Sequence, residues 1–511
     1  MLLDLVCFIP NVCLPLLAVW GLSALIYRVY FHPLADIPGP LLGRMFHFYS
    51  FWHNMRGSRF YLHIQDLHIK YGPVVRITPQ EVHLSDPEHI DTIYSFASSA
   101  SSYGKDSSFY SSFGTSHATF TTCDPAQHRA KRATLNPFFS ARRVAELEPR
   151  IQAKVTQILT RTNVSLTTTG AVELHGLFRA LALDVVTDYA FDQSYGFLAR
   201  RDLGRDFFAM IASLGPGVWV FNQFPFLRGV ATALPLWIAW GLSTSLARMI
   251  VHRRECRQQI LRVKEKVDGE EGSGRSTTIF HHLLRADTSK NPAPVPSLLE
   301  LEDEAYVLLA AAADTTANAL TVAVYHTVRN ARVYGRLVEE LEEAFPGDSE
   351  GTLSYQALKA LPYLTGVIKE ALRLSSGVPG RLPRVVPRGG ATFGGYRVPE
   401  GTVVSMSPWT VNRNENIFPD PEEFSPDRWL DPEESRLRDR YLFSFGKGST
   451  QCIGMPLAYS ELYIVLGRFF RAFRQLETRH KSKDELLYND YFSGFFAEEN
   501  EEFVFWSARR G

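Results

Sequence analysis

The stretch Phe445-Gly446-Lys447-Gly448-Ser449-Thr450-Gln451-Cys452-Ile453-Gly454 holds one thiol among three glycines, directly before a helical run from Pro456 to Phe473. A lone cysteine is usually a small buried hydrophobe. Glycines, however, let backbone pass close under a flat ligand and leave N–H groups free to point at a sulfur, where they stabilise a thiolate and tune its metal. The chemistry this predicts is metal ligation. A phosphate-binding P-loop is excluded, because Tyr441 stands where its first glycine would be and Gly448 follows the lysine. A second constellation is Ala310-Ala311-Ala312-Ala313-Asp314-Thr315-Thr316, an acid and two hydroxyls inside an otherwise strong helical pattern. Plain helix packing is the bland alternative. Yet Asp and Thr are mediocre helix formers beside four alanines, and a positioned acid and hydroxyl can move protons. Glu370 and Arg373 share one helix face at i,i+3, a pair that alone contributes only about 0.2–0.5 kcal/mol.

The cysteine segment resembles the haem-ligand loop F-G-x-G-x-R-x-C-x-G of the cytochrome P450 family. It shares Phe445, Gly446, Gly448, Cys452 and Gly454, and departs at Thr450, where arginine is usual. The resemblance implies haem b with Cys452 as the axial thiolate of its iron, a donor that favours O–O cleavage. Ala311–Thr316 is similar to the family's oxygen-binding segment, with Ala312 in place of glycine. That implies room for O2, a hydrogen bond from Thr315 and a proton relay through Asp314. His128-Arg129-Ala130-Lys131-Arg132 is similar to the family's W-x-x-x-R helix, with His128 in place of tryptophan. By the same resemblance His128, Arg132 and Arg384 donate to haem propionates, arginine being the better bidentate partner. Lys105 is left outside this set. A charged hydrogen bond is worth about 1.5–3 kcal/mol, so Thr450→Arg is expected to slow haem loss. Glu370, Arg373 and, within Phe424-Ser425-Pro426-Asp427-Arg428-Trp429, Arg428 match a buried ion-pair triad of relatives, a structural role.

For function the resemblance implies a haem-thiolate monooxygenase that inserts one oxygen atom from O2 into an apolar small molecule. Electrons would come from a separate NADPH-cytochrome P450 reductase, with cytochrome b5 as a further partner, since no flavin or dinucleotide domain fits in the chain. The wording of Leu135-Asn136-Pro137-Phe138-Phe139-Ser140 and Gly377–Pro383 is similar to fungal secondary-metabolism members, trichodiene-oxygenase-like, and implies a terpenoid or polyketide-derived substrate. A haem-thiolate isomerase that does not use O2 is the first rival, and Asp314-Thr315 argues against it. A haem-binding sensor without turnover is the second.

These residues need a large body to position them. The chain has 511 residues, 45% of them hydrophobic and 21% charged, enough apolar material for a deep core and too much for a disordered protein. With 54 basic and 54 acidic residues it lacks the basic excess of a nucleic-acid binder. Five cysteines without a C-x-x-C pair argue against a disulfide framework or a structural zinc site. Leu298 to Tyr334 runs without Gly or Pro after Ser297-Leu298-Leu299-Glu300, a capping box, and predicts a helix of about eight turns. Short strands are expected near Val74–Ile77, Ala391–Phe393 and Thr402–Val404, and a long loop over Ser98–Thr122. Exposed loops are also expected at Asp268–Ser276 and Ser289–Ser297. The fold class is mainly α with a minor β region, the P450 fold by resemblance.

Leu5–Tyr27 carries no charged side chain and as a helix would be about 34 Å long, enough to span a hydrocarbon core of about 30 Å. Asp4 precedes it and Arg28 and Arg44 lie beyond it, which predicts a single-pass anchor, not a cleaved signal peptide, with the body in the cytosol. By resemblance the membrane is that of the endoplasmic reticulum. The resulting division is an anchor over 1–32, a proline-rich connector over 33–44, read as a hinge, and a catalytic domain over 45–511. By the same resemblance the apolar segment Phe207–Trp240 is expected to form a lid that dips toward the bilayer and admits an apolar substrate, with which its aromatic residues are consistent.

Overall fold

In the computed structural model the described residues are 13–507, except 97–101, 192, 270–277, 286–294, 348–352, 479–485 and 498–502. The helix Leu298–Arg329 begins where the capping box puts it: Ser297 Oγ accepts from Glu300 N–H, and Glu300 Oε2 accepts from Ser297 N–H at 2.9 Å. It ends at Arg329, short of Tyr334, where its uninterrupted run stops. Asn330 leaves helical conformation and its side chain accepts the N–H groups of Arg332 and Val333, so a second helix, Ala331–Ala344, starts there. From Ala313 to Val328 almost every side chain of the long helix is buried. Its main neighbour is His175–Phe191, itself buried nearly all round, with Pro362–Ser375 and Met455–Ala472 packed beside it. Helices that are apolar on every face belong in the middle of a layered core.

The sheets are small. Five short strands lie in the order Val74–Arg76, Glu81–Leu84, Val403–Ser405, Arg384–Val385 and Gly104–Lys105, with only the second and third parallel. The strand predicted at Ala391–Phe393 is present, and the one predicted near Thr402–Val404 is found one residue later, at Val403–Ser405. Of the predicted loop Ser98–Thr122, residues 98–101 lie outside the described part, and the remainder is more ordered than its composition suggested. Asp106 caps a short helix, Ser107–Tyr110, by accepting from Ser108 and Phe109 N–H, and a 3-10 turn, Ser111–Phe113, comes next. The polar loops predicted at 268–276 and 289–297 fall mostly outside the described residues.

Of the predicted anchor, residues 5–12 also lie outside them. Leu14–Ile26 is helical and continues through a wider turn to Phe31. These 18 residues have mean hydropathy 1.5 and bury almost nothing, a candidate membrane span. The long core helix passes the same length and hydropathy test, but 67% of its apolar 18-residue stretch is buried inside the protein. The connector is docked along its length and is not a free hinge. Leu34 and Ile37 are 1% and 2% exposed in a core cluster with Val82 and Leu84, and Arg76 N–H donates to Pro38 O at 2.8 Å. Arg28 donates to Met45 O and Arg44 to Val29 O and Ala35 O, tying the apolar helix to the body.

Phe207–Trp240 forms three helices, Arg205–Gln223, Pro225–Ala233 and Leu236–Leu242. Trp219 is buried, but Phe226, Val230, Trp237, Trp240 and Leu242 are exposed. Phe224 packs on Phe51 of the helix Phe48–Met55, which exposes Phe48 and Trp52 in turn. The two apolar surfaces are therefore neighbours.

Candidate active site

The loop that carries Cys452 is closed by its own backbone, with Cys452 N–H donating to Phe445 O at 2.9 Å. Gly446 and Gly448 sit at φ +64° and +69°, a region that L side chains rarely adopt. A Cβ on Gly448 would also lie 2.2 Å from Tyr94 O, so no other residue fits there. The chain then turns into the helix Met455–Ala472, and the N–H groups of Gly454 and Met455 point at the sulfur. Burial pushes the Cys452 thiol up, while those two N–H groups and the Arg132 guanidinium act in the opposite sense. A cation bound at the sulfur is what would make thiolate the favoured form. Although deep in the body, the thiol opens into a cavity whose floor includes Phe445, Gly446 and Gly454.

The long helix forms the opposite wall. Glu304, Leu308, Ala311 and Thr315 recur at three- and four-residue spacing and so lie on one face. Thr315 Oγ1 donates back to Ala311 O at 2.9 Å. Asp314 does not line the cavity. It points behind the helix to Arg179, whose Nε lies 2.8 Å from Asp314 Oδ1, with both side chains buried. Burial raises the Asp314 pKa and Arg179 opposes the rise. Arg179 gave no signal in the sequence, because it stands on a helix far from Asp314 in the chain.

One edge of the cavity is cationic. Lys105 and Arg384 are directly paired across neighbouring strands, a juxtaposition of like charges that costs stability unless an anion lies between them. Arg384 donates to Tyr110 Oη and to Thr450 Oγ1, both at 2.8 Å, and Lys105 Nζ donates to Phe120 O at 2.5 Å. Burial, then Arg384, lowers Lys105 to about 7. His128 is buried beside them and lowered to about 3, by burial first and then by Lys105, Arg132 and Arg384. Arg132 donates through Nε to Asn136 Oδ1. Among the described residues none of these four is ion-paired. A flat dianion with a metal centre fits this donor set, its carboxylates at the cationic edge and its metal at the sulfur, so the residues present suit haem. Lys105 is the member that sequence reasoning passed over, since a lysine in a two-residue strand carries no local signal.

Glu370, Arg373 and Arg428 meet in the core. Glu370 takes a bidentate pair from Arg373 at 2.7 and 3.0 Å and a third bond from Arg428 Nε at 2.9 Å. Trp429 Nε1 and Ser425 N–H complete the shell of the carboxylate. Despite full burial its pKa is lowered: desolvation opposes ionisation and the two arginines outweigh it. None of the three lines the cavity.

Comparison with known proteins gives one consistent answer. The family model described as Cytochrome P450 matches residues 33–499. Among curated relatives, the cytochrome P450 monooxygenase MO6277 of Ascocoryne sarcoides is 34% identical over 91% of this chain and 92% of its own. The cytochrome P450 monooxygenase pbrB of Penicillium brasilianum is 32% identical over 88% of each chain. The conidiogenone synthase PchP450 of Penicillium rubens is 34% identical over 88% of this chain and 89% of its own. The chain belongs to the cytochrome P450 family and is a haem-thiolate monooxygenase.

Proposed function

We propose that the protein oxidises an apolar terpenoid or polyketide-derived intermediate of fungal secondary metabolism, by hydroxylation or epoxidation. It does so with electrons from NADPH passed through a separate reductase, with cytochrome b5 as a further partner. The observation that carries the reading is Cys452, held by a glycine-built loop at the floor of a cavity whose wall presents Ala311, Ala312 and Thr315. Thiolate-ligated haem supplies reductive activation of O2 when bound. Cys452 would ligate it, Phe445, Gly446 and Gly454 would line the site beside the sulfur, and His128, Arg132 and Arg384 would hold its carboxylates. Alanines at 311 and 312 leave space for a diatomic molecule, and Thr315 offers a hydroxyl there. Asp314, kept beside Arg179, holds the proton that is passed toward Thr315. Glu370, Arg373 and Arg428 keep the core in shape and take no part in the chemistry.

The apolar lining, including Leu308, Val378 and Phe492, excludes water and selects an apolar substrate. Residues 1–32 anchor the chain in the endoplasmic reticulum membrane, 33–44 connect, and 45–511 form the catalytic domain on the cytosolic face. Trp237, Trp240 and Phe226 add an interfacial contact through which the substrate arrives. A carbon monoxide difference spectrum of the reduced protein, beside Cys452→Ser, tests the assignment. A thiolate-shifted Soret band in the wild type alone is the expected result. The same band in the variant, or none in the wild type, would refute it.

A further inference from the structure

Two carboxyl groups of the described residues line the cavity, Glu304 and Glu461. Glu461 stands on the helix that begins just after Cys452, on the sulfur side. Glu304 stands on the opposite wall, on the face that also presents Leu308, Ala311 and Thr315, and Val307, Leu308 and Phe120 line the same cavity. Eleven residues of helix separate Glu304 from Thr315, about 16 Å at 1.5 Å per residue.

The neighbouring Asp303 shows what a satisfied carboxylate looks like in this region. Arg253 reaches it at 2.7 Å, and His117 N–H donates to it at 3.0 Å. Glu304 is different. Its partner is Thr119, whose N–H donates to Oε2 at 2.8 Å and whose hydroxyl also faces the group. The two nearest lysines have other partners: Lys131 pairs with Glu300 and Lys105 donates to Phe120 O. No cation pairs with Glu304 among the described residues. An ionised carboxylate offers about four acceptor sites, so Thr119 leaves capacity unused in a buried place. Unused capacity in such a place is costly, and a site of this kind favours a ligand that brings a donor. The pKa of Glu304 is raised, burial being the main cause, in keeping with incomplete compensation.

We propose that Glu304 is a specificity-determining residue, selecting apolar substrates that carry a hydroxyl group at the end remote from the carbon to be oxidised. One oxygen keeps the wall in place through Thr119, and the remaining capacity takes the substrate's O–H. The proposal rests on the monooxygenase reading and adds to it the class of substrate.

The test is a pair of probes with equal numbers of heavy atoms, 1-dodecanol and 1-methoxyundecane, titrated into the full-length holoprotein with the spin-state shift of the Soret band as readout. The wild type should bind the alcohol at least about tenfold more tightly than the ether, the factor one hydrogen bond to a charged group supplies. In Glu304→Leu the ratio should fall to near one. Glu304→Gln, which keeps an acceptor for Thr119, should give an intermediate ratio even if the leucine variant folds poorly. The carbon monoxide band should be the same in all three. Equal binding of the two probes by the wild type, no response to the alcohol, or a ratio unchanged in the variants overturns the proposal while leaving the monooxygenase reading intact. A wild type without a thiolate-type band overturns both.

Discussion

The hydroxyl of Thr450 lies 2.8 Å from Arg384 Nη2, so the place where the family's loop usually carries a guanidinium is reached by one from a neighbouring strand. Thr450→Val removes that acceptor and frees Arg384 to swing. Loss of one hydrogen bond of about 1 kcal/mol should speed haem transfer to an apoprotein acceptor several-fold, and an unchanged transfer rate would count against this. Thr450→Arg adds a donor but also sets a third cation beside Arg384 and Lys105, so its gain in retention should fall short of a full charged bond. Asp314 raises a separate question, since its carboxyl faces Arg179 and not the cavity. If it stores the proton, Asp314→Asn should lower kcat by about 10²-fold or more, with the carbon monoxide spectrum and substrate-induced spin shift retained. Turnover within threefold of the wild type would remove Asp314 from the mechanism.

At the scale of elements, local sequence sets where segments begin, and side chains from elsewhere set how they are held. The capping box at Ser297 was legible because all its partners are within three residues. The end of that helix was not: a run without Gly or Pro does not reveal that Asn330 caps its successor. The pair Glu370–Arg373 was readable as an i,i+3 contact of little value. Its weight comes from Arg428, Trp429 and Ser425, which a separate segment brings to the same carboxylate. Glu370→Ala strands two buried guanidinium groups and should cost about 3–5 kcal/mol. The expected outcome is a large drop in the urea midpoint or failure to accumulate folded holoprotein, and a midpoint near the wild-type value would refute it.

Across the molecule as a whole, several histidines are held neutral by packing. His68 accepts at Nε2 from His83 Nδ1 at 2.6 Å, and His83 Nε2 accepts from Ser407 Oγ at 2.8 Å, when His68 donates from Nδ1 to Gly72 O. Burial lowers His68 to about 4, burial with His63 and Arg56 lowers His53 to about 4, and His83 lies well below its usual value. Because the folded values lie under 6.5, these histidines bind more protons in the unfolded chain than in the folded one between pH 6.5 and about 4. Stability should therefore fall as pH falls through that window and be fully present above it. Urea midpoints should drop between about pH 7 and pH 5, by less in His68→Gln, and a constant midpoint would contradict the argument.

Sequence alone was enough for the cysteine loop, the polar break in the long helix, the mainly helical class and the apolar N-terminal run. Each is a matter of residue types at fixed spacing over a few turns, where chain geometry alone decides what faces what. It took the folded chain to set Lys105 opposite Arg384, to turn Asp314 away from the cavity toward Arg179, and to bring Glu304 to Thr119 with capacity to spare. Folding also docks the proline connector, through Leu34 and Ile37. These contacts join residues distant in the chain. They depend on which faces pack together, and that is settled by burial of the whole core, which no local pattern records.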